Sequence, residues 1–206
     1  MQLRNHSAIV GLAAVLALAL AGPVSAQNVL TNPGFETGDL TGWQVFGQSA
    51  NSDVFVESPD NGPSAPGTFN AFMDNSAEAV GLTLKQTTAV GSVEPGTVDW
   101  SVDLKLDQAD AGGVLFFEVF AEQEGVGIIG GSGLQGPFFP FNAWETFSGS
   151  FEAPTGTNFL SVQIMANTGA NPGTNCRARV DNVVLDAPQP VSVDSESWSG
   201  VKSQYR

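Results

Sequence analysis

Beyond Ala26, polar and hydrophobic residues alternate with a period of two over long stretches of this chain. In Thr97–Asp107, one side carries Thr97, Asp99, Ser101, Asp103, Lys105 and Asp107, and the other Val98, Trp100, Val102, Leu104 and Leu106. A period of two describes a strand with one buried face, so Trp100 is expected in a core. Phe159–Asn167 repeats the pattern: Leu160, Val162, Ile164 and Ala166 point one way, and Phe159, Ser161, Gln163, Met165 and Asn167 the other.

Helix signals are nearly missing after the leader. Gly, Pro, Asn, Thr and Ser punctuate the chain about every ten residues, the pattern of an all-β sandwich or barrel. The predicted strands are Asp53–Glu57, Asn70–Asp74, Gly81–Thr88, Gly96–Asp107, Gly113–Gln123, Trp144–Glu152, Asn158–Asn167 and Arg177–Asp186. Gly113–Gln123 departs from simple alternation. Leu115, Phe117, Val119 and Ala121 form one apolar side, but the nominally wet side interleaves Phe116 and Phe120 with Glu118 and Glu122. Two explanations stand at this point. A loop or the tail covers these rings, or the sheet face is concave and stacks sugars on aromatics while acids and amides bond to hydroxyls. The segment Glu124–Asn142 is expected as one long glycine-rich loop holding Phe138, Phe139 and Phe141. It has no Lys and no following helix, so it is no phosphate loop. It is expected to line a groove or close one end of the core.

The first residues are a different kind of segment. Arg4, an apolar run from Ala8 to Gly22 and small residues before a cut after Ala26 make 1–26 a secretory signal peptide. The apolar run is short for a membrane span of ~20 residues, so no span is expected after cleavage. Roughly 180 residues remain, enough for one domain with a substantial core. Loss of Arg4 takes the formal charge from -14 to -15. An acidic chain repels phosphate backbones, so nucleic acid is not an expected partner. The single His, His6, lies in the leader, which leaves the rest without Ser-His-Asp or Cys-His chemistry. Cys176 is the single cysteine, so no intrachain disulfide is possible.

The stretch after the leader contains NPGFETGDLTGW. It resembles the opening of the CenC-type carbohydrate-binding modules, families 4, 9 and 22, which fold as galactose-binding-like jelly rolls. GTFNAFMDN, PGTVDWSVDLKL, WETFSGSFEAPTGTNFLSVQIMA and RARVDNVVL resemble that family's later strands, in the same order. The resemblance implies a single jelly-roll β-sandwich over 27–187. It further implies a secreted, non-catalytic protein that binds a polysaccharide or other glycan. By the same resemblance, Glu36 and Asp181 hold a structural Ca²⁺ together with turn carbonyls, and such oxygens suit calcium; a surface Glu and Asp with turn-capping roles is the alternative. Trp43 then anchors the sandwich. The family's binders display Trp or Tyr on the concave face or loop tips, whereas the one Tyr here is Tyr205, near the C-terminus. The expected sugar contacts are therefore the rings of Phe116, Phe120, Phe138 and Phe139, with Gln163, Glu118 and Asp103 as polar partners.

Two other readings carry weight at this stage. One is a structural or protein-binding jelly roll of the cell exterior without a sugar site. The other is a glycoside hydrolase, for which Glu118 and Asp103 would have to face each other about 5–5.5 Å apart. The tail 188–206 is polar. Trp198, Val201 and Tyr205 form one stripe of a possible short helix, marginal on its own.

Overall fold

The computed structural model describes residues 27–190; the leader and the possible tail helix lie outside them. Twelve strands run in chain order: β1 Gln27–Asn28, β2 Gln44–Phe46, β3 Ser52–Glu57, β4 Asn70–Asn75, β5 Gly81–Thr87, β6 Gly96–Asp110, β7 Val114–Gln123, β8 Gly127–Gly131, β9 Gln135–Phe138, β10 Glu145–Ala153, β11 Phe159–Asn167 and β12 Asn175–Ala187. They form two antiparallel sheets. The first has the order β10-β6-β12-β4-β3, with β1 also pairing β12. The second has the order β2-β5-β11-β7-β8, with β9 also pairing β7. All eight expected strands are present. Among the described residues no helix is long and apolar enough to cross a membrane.

The alternation seen in the sequence builds the core. Val98, Trp100, Val102, Leu104 and Leu106 of β6 face Leu115, Phe117, Val119 and Ala121 of β7 and Leu160, Val162, Ile164 and Ala166 of β11, all buried. Trp100 lies against Phe117, ring centroids 4.8 Å apart. Burying each large side chain contributes ~1.5–3 kcal/mol. Cys176 is buried in the same cluster, and burial pushes its thiol up to about 12.

Strand β12 solves a phase problem. Cys176, Ala178 and Val180 point inward, and so do Val183, Leu185 and Ala187. The two sets differ in parity, and a bulge between Asp181 and Val184 reconciles them. One extra residue keeps both halves facing the core. Asn182 takes a positive φ of 47° there, which Asn tolerates better than most residues. The bulge places Asp181 and Asn182 together beside the N-terminal turn, where Val183 N–H donates to the Pro33 carbonyl at 3.0 Å. The two ends of the domain therefore lie side by side. Gln86 also pins that turn, accepting from Thr31 N–H at 2.6 Å and donating to its carbonyl at 2.9 Å.

The segment 124–142 is not one loop. It contains β8 and β9, both paired with β7. Its glycines permit this close approach: a Cβ on Gly131 would sit 2.2 Å from the Val119 carbonyl oxygen.

Candidate functional site: an outward sheet face and an oxygen-lined turn

On the outer face of the second sheet, strand register aligns residues into rows. One row is polar: Glu118 (β7), Gln163 (β11), Lys85 (β5) and Gln44 (β2). Beside it runs Phe116, Met165, Thr83 and Phe46. On its other side lie Phe120, Ser161 and Thr87. Four expected site residues, Phe116, Glu118, Phe120 and Gln163, thus share one continuous patch, and all four are half-buried. The Gln163 amide donates to Glu118 at 3.4 Å. Ser161 is fully buried and bonds both Thr87, at 2.9 Å, and Glu122, so its hydroxyl is already used. Phe46 is exposed at one end. At the other end, Phe116 approaches the β9 backbone near Gly136.

Three expected contacts lie elsewhere. Asp103 does point outward, but from the first sheet, and the segment 58–69 covers it completely. It accepts four hydrogen bonds: from Ser64 N–H (2.8 Å), Ser64 Oγ (2.5 Å), Thr146 Oγ1 (2.6 Å) and Asn182 Nδ2 (2.9 Å). It is a loop anchor with no room for a sugar. Glu118 and Asp103 sit on opposite outer faces of a sandwich whose sheets pack ~10 Å apart, so they form no catalytic pair. Phe138 pairs with the inward residue Leu115 and packs on Phe147 of the other sheet, centroids 4.3 Å apart, closing the core. Phe139 is half exposed and stacks with Phe141, at 6.1 Å and 15°, in a segment hydrogen-bonded to Leu106 of β6.

Ion pairs cover the part of the first sheet's outer face around Arg177, Arg179 and Lys105. Arg179 bonds Asp107 at 2.9 Å and Glu57 at 2.5 Å, and its guanidinium lies 4.7 Å from the Phe72 ring. Arg177 pairs with Asp74 at 3.1 Å. Lys105 and the Trp144 indole both donate to Asp60, at 2.6 and 2.9 Å. Partial burial opposes ionisation there, but these donors hold the Asp60 carboxyl below the usual carboxylate range.

The second candidate locus is the N-terminal turn. Glu36 Oε1 accepts from Thr68 and Phe69 N–H at 2.8 and 3.1 Å. Asp181 accepts from Gly62 and Asn182 N–H, each at 2.7 Å. Burial pushes the Asp181 carboxyl up to about 7; those two N–H groups oppose the rise, and the charges of Asp103 and Glu36 add to it. A Cβ placed on Gly34 would meet Asn182 Oδ1 at 3.3 Å, Asp181 Oδ1 at 3.5 Å and Glu36 Cγ at 3.7 Å. The cradle is thus lined by hard oxygens, which fit a cation such as calcium in kind. Among the described residues no three acidic, His or Cys side chains converge as a metal site by themselves. Amide and main-chain oxygens would have to complete the shell.

No family model and no curated protein matches the sequence. Solved structures match the fold. The CBM22-1 xylan-binding domain from Paenibacillus barcinonensis Xyn10C aligns with a TM-score of 0.55 at 16% identity, over 82% of this chain and 100% of that one. The fold is the galactose-binding-like jelly roll. A CBM61 module solved with β-1,4-galactotriose shares the jelly roll, with a TM-score of 0.52 at 16% identity over 79% of this chain and 99% of its own. So does part of the enzymatically active domain of bacteriophage CBA120 tailspike protein 4, with a TM-score of 0.61 at 12% identity. There the match covers 78% of this chain but 21% of the tailspike domain. At such identities the likeness is one of fold.

Sequence reasoning placed Met165 beside Gln163 without naming it as a contact, and missed Lys85, Thr83, Gln44 and Phe46 on the sheet face. The parity of Gly81–Thr88 already placed Thr83, Lys85 and Thr87 on one side; the register that sets them beside Gln163 was the missing information.

Proposed function

We propose that this domain is a secreted, non-catalytic glycan-binding module that holds a polysaccharide on the outer face of its second sheet. The observation that carries this reading is the register that gathers Phe116, Phe120, Glu118 and Gln163 into one continuous patch of half-buried side chains. Aromatic rings beside amides and carboxylates suit a ligand with apolar ring faces and equatorial hydroxyls. The xylan-binding and galactotriose-bound jelly rolls support a β-linked polysaccharide as the ligand class. Calcium held by Glu36, Asp181, the Asn182 amide oxygen and turn carbonyls would neutralise the acidic cradle and fix the N-terminal turn to β12. The leader supports export to the cell exterior.

A second reading keeps the jelly roll as a structural or protein-binding element, and the contact of Phe116 with the β9 backbone at Gly136 favours it. Retention of the full chain on xylan, β-glucan, galactan, mannan and cellulose, first with calcium and then with EDTA, separates the two. Retention lost in Phe116→Ala/Phe120→Ala, with the fold intact, supports the binding module. No retention on any glycan overturns it in favour of the second reading.

A further inference from the structure

Four cations lie within the described residues, and three of them are neutralised on the first sheet: Lys105 by Asp60, Arg177 by Asp74, and Arg179 by Glu57 and Asp107. The fourth, Lys85, has no carboxylate within ion-pairing distance among the described residues. In a chain with 21 acids and 7 Lys plus Arg, a cation without a carboxylate partner is unusual. Its place is more unusual still. Lys85 stands half-buried in the polar row of the candidate binding face, with Gln163 in register on one side and Gln44 on the other. The row on one side supplies Phe116, Met165 and Phe46, and the row on the other side Thr87 and Phe120.

An ammonium is a compact charge with three donors. Neutral hydroxyls are bonded well enough by the amides of Gln163 and Gln44. What the lysine adds is attraction for an anion, strengthened where the apolar rows exclude water. Resting on the glycan-binding reading above, we propose that this face selects glycans bearing an anionic substituent, a uronate carboxylate or a sulfate ester, seated on Lys85. The same charge distribution limits how many such groups the glycan carries. Glu118 and Glu122 share the sheet, and the chain has a formal charge of -14. A polymer charged on every sugar is repelled by that field. The ligand class is a largely neutral backbone with sparse anionic branches.

The test compares matched probes on the full chain by titration calorimetry: an unsubstituted xylo-oligosaccharide, the same backbone with one glucuronate branch, a neutral galacto-oligosaccharide and its monosulfated form. We expect at least one anionic probe to bind about tenfold tighter than its neutral partner, a difference of ~1.4 kcal/mol. Which probe shows the gain tells carboxylate from sulfate. Lys85→Gln should erase that preference and leave Tm unchanged, and the preference should shrink with added salt. Neutral probes that bind through Phe116 and Phe120 without any anionic preference would overturn this inference and leave the binding module standing. A preference that survives Lys85→Gln would overturn it as well. If no probe binds, this inference falls, and the binding module is then decided by the retention assay on the wider set of polysaccharides.

Discussion

Asp103→Asn tests whether the buried carboxylate is a loop anchor, as its four hydrogen bonds indicate, or part of a ligand site, as its outward parity alone suggests. Asn preserves the volume and keeps one acceptor oxygen. Two of the four donors (Ser64 N–H, Ser64 Oγ, Thr146 Oγ1 and Asn182 Nδ2) then lose their acceptor. Bonds to a charged group contribute ~1.5–3 kcal/mol each, so the direct loss is roughly 3–6 kcal/mol. Two effects offset it. Ser64 Oγ and Thr146 Oγ1 are 3.0 Å apart and can pair with each other, returning about 1 kcal/mol. Removing the charge also relieves the repulsion on Asp181, which is a lesser cause of that group's shift than its burial. The net expectation is a destabilisation of about 2–4 kcal/mol, within the range for breaking a buried network. With a urea slope near 2 kcal/mol/M, the unfolding midpoint should fall by ~1–2 M, followed by Trp fluorescence at pH 7 with calcium. Glycan affinity should stay unchanged, and limited proteolysis should cut first within 58–69. A midpoint within ~0.3 M of the parent, or lost glycan binding at unchanged stability, would refute the anchor.

Phe116→Ala/Phe120→Ala should weaken polysaccharide retention about tenfold or more, ~1.4 kcal/mol, with an unchanged far-UV spectrum; affinity electrophoresis reads it. In EDTA, stability should fall as pH rises from about 4 to about 7. Asp181 holds its proton more tightly folded, at about 7, than unfolded, near 3.8, so the folded state gains from protonation below this window and loses that gain above it. The full difference is ~4 kcal/mol at most. Denaturation midpoints across that range should slope for the parent and flatten for Asp181→Asn, and a flat parent profile would contradict the assignment. Calcium should raise Tm most at pH 7 and above, where Asp181 is ionised, and a Tm shift equal at pH 5 and pH 8 would argue against its being a ligand. Native Cys176, buried and pushed up to about 12, should stay unreactive to a thiol reagent over hours and react promptly in urea.

What the sequence made legible, and what it hid, follows from the physics of parity. Alternation needs length to show. It marked β6 and β11 over nine or more residues each, but β1 and β2 have two and three residues and no period to read, and in β12 the bulge breaks the period. Strands β8 and β9 were masked by Gly and Pro, which read as turn formers even where a glycine is present because Val119 passes 2.2 Å from where its Cβ would be. Parity also says only inward or outward, and a two-sheet sandwich has two outward faces. Asp103 and Glu118 share that label, yet one lies under a loop on the first sheet and the other in the open row of the second. The same limit explains Phe138, whose neighbours in sequence are exposed while its pairing with Leu115 turns it to the core. Only register separates these cases, and register shows an asymmetry between the two faces. The first sheet consumes three of the four described cations in ion pairs that tie β3, β4, β6 and β12 to one another and Lys105 and Arg179 to Asp60 of the covering segment. The second carries one, left free beside aromatic rings and amides. A chain this acidic could have paired Lys85 as it paired the others. That no described carboxylate pairs with it is the strongest reason to look for the missing anion on the ligand.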